Sequence, residues 1–271
     1  MRTRKECHRQ VMVGCALERE TASSVRWGGG LSAVPRADRV AARTTPRAAL
    51  LVLAKAPVPG QVKTRLCPPA TPDQAARIAA AALLDTLDAV LAVPRVVPVV
   101  ALTGDLAHAV ETTEVTARLR ATTVLAQRGA TLGQRIAAAY ADATALVGDL
   151  PVLQIGMDTP QADARLLGQC LDLLDGDGVD AVFGLAADGG WWTLGVRRSV
   201  VTELIADVPT SRPDTGARTL AVLRTAGCRV AELPELSDVD TWEDATKVAA
   251  DVPGGRFAAA VAALSAQWGG R

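Results

Sequence analysis

The chain has 271 residues, 49% of them hydrophobic but only 3% aromatic, so a sizeable core must be built from Ala, Val and Leu. Twenty-nine Lys and Arg balance 29 Asp and Glu, and a neutral total argues against non-specific binding to polyanions. Two histidines speak against a His-rich metal site or a Ser-His-Asp triad, and no apolar run approaches the roughly 20 residues of a membrane-spanning helix.

Residues 1–47 carry ten Lys and Arg against four Asp and Glu and show little periodicity. They read as a disordered extension or as a gene start placed too early, with Met12 downstream. Glu18, Glu20 and the lack of an amphipathic face speak against a transit peptide. Residues 48–268 are expected to form a single domain. The five cysteines are scattered with no CxxC pair, which suits reduced thiols in a cytoplasmic protein.

From residue 48 on, strand and helix patterns alternate. Residues 48–54 (AALLVLA) form an apolar run long enough for a buried strand. Thr71 and Asp73 supply a cap and an acidic first turn for a helix that runs to 93, with Ile78, Leu83, Leu84, Leu87, Val90 and Leu91 at helical spacing. Strands are predicted over 96–102, 122–127, 152–157, 180–186, 191–196 and 229–233. Helices are predicted over 105–119, 131–147, 163–174, 199–205, 217–226, from 241 onward, and over 257–267. This alternation predicts an α/β fold, with a mainly parallel sheet covered by helices on both faces.

Four stretches carry chemistry. The first, 55–66 (KAPVPGQVKTRL), is a loop at the carboxyl end of a strand, where open α/β sheets bind ligands. It holds Lys55, Lys63 and Arg65 and no acid. Pro57 and Pro59 stiffen it, and Gly60 permits close approach. Gly60-x-x-Lys63-Thr64 is not a P-loop, which needs glycine directly before the lysine. The stretch reads as a phosphate clamp, with a solvated basic loop as the other reading.

In the second, 155–160 (IGMDTP), an apolar strand delivers Asp158 at its carboxyl end. A hard divalent cation takes such carboxylates together with substrate phosphates, though a lone aspartate here also suits a turn or a helix cap. The third, Asp188-Gly189-Gly190-Trp191-Trp192, offers backbone that can approach a ligand. One Trp is placed to stack on a base or sugar and the other to enter the core, because strand neighbours face opposite ways. The fourth is Asp238-Val239-Asp240-Thr241. Its two aspartates share a side if extended, and either one would complete a metal site with Asp158. Asp240 or Thr241 can instead cap the next helix.

Together KAPVPGQVKTRL, QRGATLGQRI (127–136), IGMDTP, ADGGWWTLG (187–195) and SDVDTWEDA (237–245) resemble the DUF2064 family, which is glycosyltransferase-like with a GT-A, nucleotide-diphospho-sugar transferase fold. The resemblance covers about 48–250. More distantly, the motifs are similar to 2-phospholactate guanylyltransferases and molybdenum-cofactor nucleotidyltransferases. The resemblance implies a GT-A-like, Rossmann-type sheet with a nucleotide-binding half first and an acceptor half second. It assigns Lys55, Gly60, Lys63, Arg65, Gln127 and Arg135 to nucleotide and phosphate, and Asp158 and Asp240 to a metal, Mg²⁺ or Mn²⁺. Gly189, Gly190 and Trp191 go to the acceptor side, with Asp188 as the candidate base. The chain departs from the family pattern at MDTP, where a fuller signature reads DxD, and at Gly184-Leu185-Ala186, where Gly-Pro is usual.

The leading expectation is therefore a metal-dependent transferase moving a glycosyl group from a nucleoside-diphosphate sugar to a small acceptor. Nucleotidyl transfer to a phosphorylated acceptor is the alternative, since the same cations and carboxylates serve both. Nucleotide binding without turnover is the third reading. The expected partners are a nucleotide or nucleotide-sugar donor and a small-molecule acceptor, with no nucleic acid.

Overall fold

The structure, a computed structural model, describes residues 45–269; the extension expected over 1–47 lies outside them except for 45–47. Seven strands make one sheet: β1 (Ala48–Lys55), β2 (Val96–Thr103), β3 (Thr123–Ala126), β4 (Val152–Gly156), β5 (Ala181–Ala186), β6 (Trp191–Val196) and β7 (Val230–Leu236). Their order is β3-β2-β1-β4-β6-β5-β7. All neighbours are parallel except β6, which runs antiparallel to both β4 and β5. The fold is α/β, with a mainly parallel sheet as the alternation predicts.

Around the sheet lie α1 (Pro72–Ala92), α2 (Thr112–Leu119), α3 (Leu132–Val147), α4 (Ala164–Asp175), α5 (Thr215–Thr225), α6 (Trp242–Asp251) and α7 (Arg256–Gly269). The near-continuous apolar run of β1 reflects burial on both faces. Leu50 and Val52 join one core cluster with Leu83, Leu87, Val115 and Leu171, under α1, α2 and α4. Ala49 and Leu51 join the other with Ile136, Tyr140, Ile205 and Leu223, under α3 and α5. A third cluster sits outside α1, where Ile78 and Ala82 meet Val248, Phe257 and Val261 of α6 and α7.

Local chemistry explains the element ends. Thr71 caps α1 in a reciprocal capping box with Gln74, and Thr241 does the same for α6 with Asp244. Two predicted helices change. The 105–119 stretch divides into a 3₁₀ turn, Leu106–His108, and α2. Between them Thr112 Oγ1 donates to the carbonyls of Leu106 and Ala109, and Glu111 turns left-handed at φ 51°. A threonine hydroxyl that bonds local carbonyls competes with the helix ladder. Residues Ser199–Ile205 form a 3₁₀ helix.

Arg47, just before β1, is anchored. Its amide donates to the Arg95 carbonyl at 2.8 Å, and its guanidinium bonds Asp172 at 2.6 Å and Asp175 at 3.2 Å on α4. Ordered contacts therefore begin before the boundary read at residue 48. Among the described residues no helix is long and apolar enough to cross a membrane, and Cys67, Cys170 and Cys228 are free.

Candidate functional site

A cavity of about 490 Å³ opens over the carboxyl ends of β1, β2 and β4. Its floor includes Ala54, Lys55 and Thr103. Its walls come from opposite faces of the sheet. On the α1 side stands the 61–65 loop, whose Val62 packs into the core under that helix. On the α3 side stand Leu132, Arg135 and Ile136, with residues 210–212 leading into α5. The cavity thus lies where an open α/β sheet presents its strand ends to ligand.

Lys63 is the central cation. It adopts a left-handed conformation at φ 48° and its side chain is only 9% exposed. Its ammonium donates to Asp158 Oδ2 at 2.7 Å and reaches Asp240 Oδ1 at 3.4 Å. Burial works against its charge, but Asp158 and then Asp240 outweigh this and raise its pKa above the ordinary lysine value. Arg65, more exposed, donates to Asp240 Oδ2 at 2.9 Å.

Two backbone features bring the carboxylates together. A side chain at Gly156 would place its Cβ 2.6 Å from Asp158 Oδ1, so glycine leaves room for that carboxylate at the end of β4. The amide of Val239 donates to the Asp158 carbonyl at 3.2 Å, tying the Asp-Val-Asp segment to the same strand end. Val239 points into the core, so its neighbours Asp238 and Asp240 both turn toward the cavity, as the alternation of an extended segment requires.

Asp238 stands out among these acids, although the family resemblance assigns the metal to Asp240. Its Oδ1 is buried without a hydrogen-bond partner. Burial first, then Asp158 and Asp188, push its carboxyl up to about 7; Lys63 opposes the rise and Asp240 adds to it. The DxD spacing was the available signal. It could not say which aspartate is the more deeply held.

Of the other predicted residues, Lys55, Gln127, Arg135, Asp188, Gly190 and Trp191 line the same cavity. The Lys55 ammonium donates to the Gln61 carbonyl and so braces its own loop. Gln127 Nε2 donates to the carbonyls of Ala54 and Ala101 at 2.8 and 2.9 Å, holding the ends of β1 and β2. Asp188 is exposed, and its Oδ1 accepts from the Gly190 amide at 2.7 Å. Trp191 is half-buried beside Phe183, while Trp192 is 2% exposed and donates through Nε1 to the Pro234 carbonyl.

Gly60 and Gly189 do not line the cavity. Gly60 turns an exposed corner at φ 73°. A Cβ on Gly189, at φ 87°, would lie 2.0 Å from the Pro213 carbonyl oxygen, so this glycine seats the loop before α5. That loop contributes Thr210, Ser211, Arg212 and Thr215, which the sequence motifs did not single out.

The donor set is all carboxylate oxygen, and Asp238 adds a buried oxygen with no hydrogen-bond partner. Both fit a hard divalent cation of the Mg²⁺ type, which takes one or two carboxylates and completes its shell with water and substrate. Among the described residues no three His, Cys, Asp or Glu side chains gather closely enough to hold a metal by themselves.

The DUF2064 family model, described as an uncharacterized protein conserved in bacteria, matches residues 86–212. Over that segment the chain is similar to the DUF2064 family. The matched segment contains Gln127, Arg135, Asp158 and Asp188; the basic loop and the Asp-Val-Asp segment lie on either side of it. The chain is similar to the crystal structure of a provisionally assigned nucleotide-diphospho-sugar transferase from Desulfovibrio desulfuricans G20. The two share 26% identity over 82% of this chain and 96% of the other, at a TM-score of 0.71. A cytidylyltransferase from Leptospira borgpetersenii shares the fold, with 15% identity over 82% of this chain and 95% of that one, at a TM-score of 0.50. No curated protein matches the chain.

Proposed function

We propose that this protein is a transferase that takes a nucleoside-diphosphate sugar and passes the glycosyl group to a small acceptor. The observation that carries the reading is the cluster of Lys63, Arg65, Asp158, Asp238 and Asp240 at one end of a cavity between two unlike walls. The likeness to the Desulfovibrio structure supports the same class of donor.

In this reading Lys63 and Arg65 bind the donor's diphosphate and hold its negative charge as the bond to the sugar breaks. Asp158 and Asp240 would hold Mg²⁺ or Mn²⁺, which supplies Lewis-acid stabilisation of the departing diphosphate. In the same reading Asp188, exposed at the cavity's edge, takes the proton from the acceptor hydroxyl. Trp191 offers a half-buried ring against which a sugar can pack.

The test is to incubate the protein and Mg²⁺ or Mn²⁺ with sugar nucleotides and, separately, nucleoside triphosphates, each with a pool of small hydroxylated and phosphorylated acceptors. Acceptor-dependent release of nucleoside diphosphate is the expected result. Acceptor-dependent release of pyrophosphate from triphosphates would assign nucleotidyl transfer instead. Tight nucleotide binding with neither product would sink both.

A further inference from the structure

The wall opposite Lys63 is cationic in a different way. At the first wall the cations are matched to acids: Lys63 to Asp158 and Asp240, and Arg65 to Asp240. On the second wall the matching is looser: Arg135 has no acid among the described residues, and Arg212 has only Asp214, at 3.5 Å. Arg135 donates only through Nε, to the Gly129 carbonyl at 3.1 Å, and pairs with no carboxylate among the described residues. The guanidinium of Arg212 makes no hydrogen bond among the described residues.

The acid that pairs with Arg212 is shared with Arg218. Asp214 Oδ1 lies 3.5 Å from Arg212 Nε yet is left buried without a hydrogen-bond partner, while its Oδ2 accepts from Arg218 at 2.6 Å. A guanidinium carries five donors, so the two arginines bring a set of unused N–H groups to one cavity.

The backbone under Arg212 is held firmly. Its amide donates to Thr215 Oγ1 at 3.2 Å, and that hydroxyl donates to the Pro209 carbonyl at 2.9 Å. The Gly216 amide donates to the Gly189 carbonyl at 2.8 Å, fastening the loop to the Asp188 turn. Ser211 sits at φ 58°, a left-handed conformation that non-glycine residues adopt at a cost. On the neighbouring helix, Gly133 lets the first turn of α3 approach the Ala206 carbonyl, where a Cβ would lie at 2.5 Å. The α3 turn that carries Arg135 is thereby packed against the segment that leads to Arg212. A fixed backbone and planar guanidinium groups with most of their N–H donors free among the described residues suit an oxyanion, which arginine binds bidentately.

We propose that Arg135 and Arg212 form an anion subsite for the acceptor, so that the acceptor is a small molecule carrying a phosphate or carboxylate besides its reacting group. This rests on the transferase reading for the word acceptor, and it moves Arg135 from the donor side to the opposite wall. The separation of the two cationic groups onto walls from opposite faces of the sheet allows a donor and an anionic acceptor to bind together.

The test is calorimetric titration of the full chain with inorganic phosphate and, in a parallel arm, acetate. Both are done with Mg²⁺ and saturating amounts of whichever nucleotide most raises the melting temperature. Saturable binding of one anion with nucleotide in place is expected, and the arm that responds tells phosphate from carboxylate. Arg135→Ala and Arg212→Ala should each weaken it about tenfold or more, the effect of a lost charged hydrogen bond, and leave the nucleotide Kd unchanged. Lys63→Ala should weaken nucleotide and spare the anion. Circular dichroism confirms that each variant is folded.

Competition between anion and nucleotide, absence of binding by either anion, or indifference to both arginine substitutions would overturn the subsite. If no nucleotide binds, the transferase reading fails by itself. The subsite is then judged on anion binding to the free protein, which the arginine variants must weaken and Lys63→Ala must not.

Discussion

At the scale of single residues, the site is a charge-matching problem. Lys63, in a left-handed backbone conformation, is held inside by two acids. Asp158 is the partner it bonds at the shorter distance, 2.7 Å. Replacing Asp158 with Ala removes a carboxylate oxygen from a partly exposed position and fills no core space. We expect Asp158→Ala to stay folded but melt lower, because it leaves the buried Lys63 ammonium with only Asp240 at 3.4 Å, and to abolish divalent-dependent nucleotide binding. A Mg²⁺ titration followed by calorimetry checks this, and an unchanged metal dependence removes Asp158 from the site. These roles were partly legible in sequence, because an aspartate at the end of an apolar strand and a basic loop after the first strand are local patterns. That Lys63 and Asp158 touch was not legible, since 95 residues separate them. The exposure of Asp188 and the burial of Asp238 were equally hidden, because the aspartates look alike until neighbours desolvate one of them.

At the scale of elements, a polar network fastens α7 to the rest. Asp85 on α1 accepts from the amides of Arg256 and Phe257, at 3.2 and 2.9 Å, and so caps the first turn of α7. Phe257 is fully buried against α1. Asp85→Ala should cost about 1–2 kcal/mol, the range for losing a helix cap, and urea denaturation checks it. Nearby, Asp88 bonds Arg118 on α2 and Arg256 on α7. Burial raises its pKa, but these two guanidinium groups outweigh burial and hold it below its ordinary value of 3.8. A carboxyl whose folded pKa is depressed stabilises the fold above its unfolded pKa, and that contribution is lost as pH falls through the folded value. Melting temperature should therefore fall more steeply below about pH 4 in the parent than in Asp88→Asn, which has no such proton to gain. Equal slopes in a pH series of thermal melts would contradict this. Helix periodicity announced α1 and α7 separately. The cap between them joins residues that are 172 positions apart, so no local pattern carries it.

At the scale of the whole molecule, one sheet and two helical layers produce a cavity whose walls carry different charge. A ligand spanning them should tie the layers together. A nucleotide held with Mg²⁺ at a hundred times its Kd stabilises the native state by about 2.7 kcal/mol. For a domain of this size that is a rise of roughly 5–10 °C in melting temperature. A panel of nucleotides and sugar nucleotides in a thermal-shift assay reads it and ranks the bases; no shift with any of them contradicts nucleotide binding. The sequence by itself determined the alternation of strand and helix, the near-continuous apolar strands of a sheet buried on both faces, and the short motifs at strand ends. Those follow from periodicity, capping and turn chemistry, which act over a few residues. Only the tertiary structure decided the strand order with β6 reversed, the meeting of Lys63 with Asp158 and Asp240, the depth of Asp238, and the facing of Arg135 and Arg212 onto one cavity. Those depend on which distant segments pack together and how much water they exclude, and burial and charge proximity are properties of the folded neighbourhood that no residue carries alone.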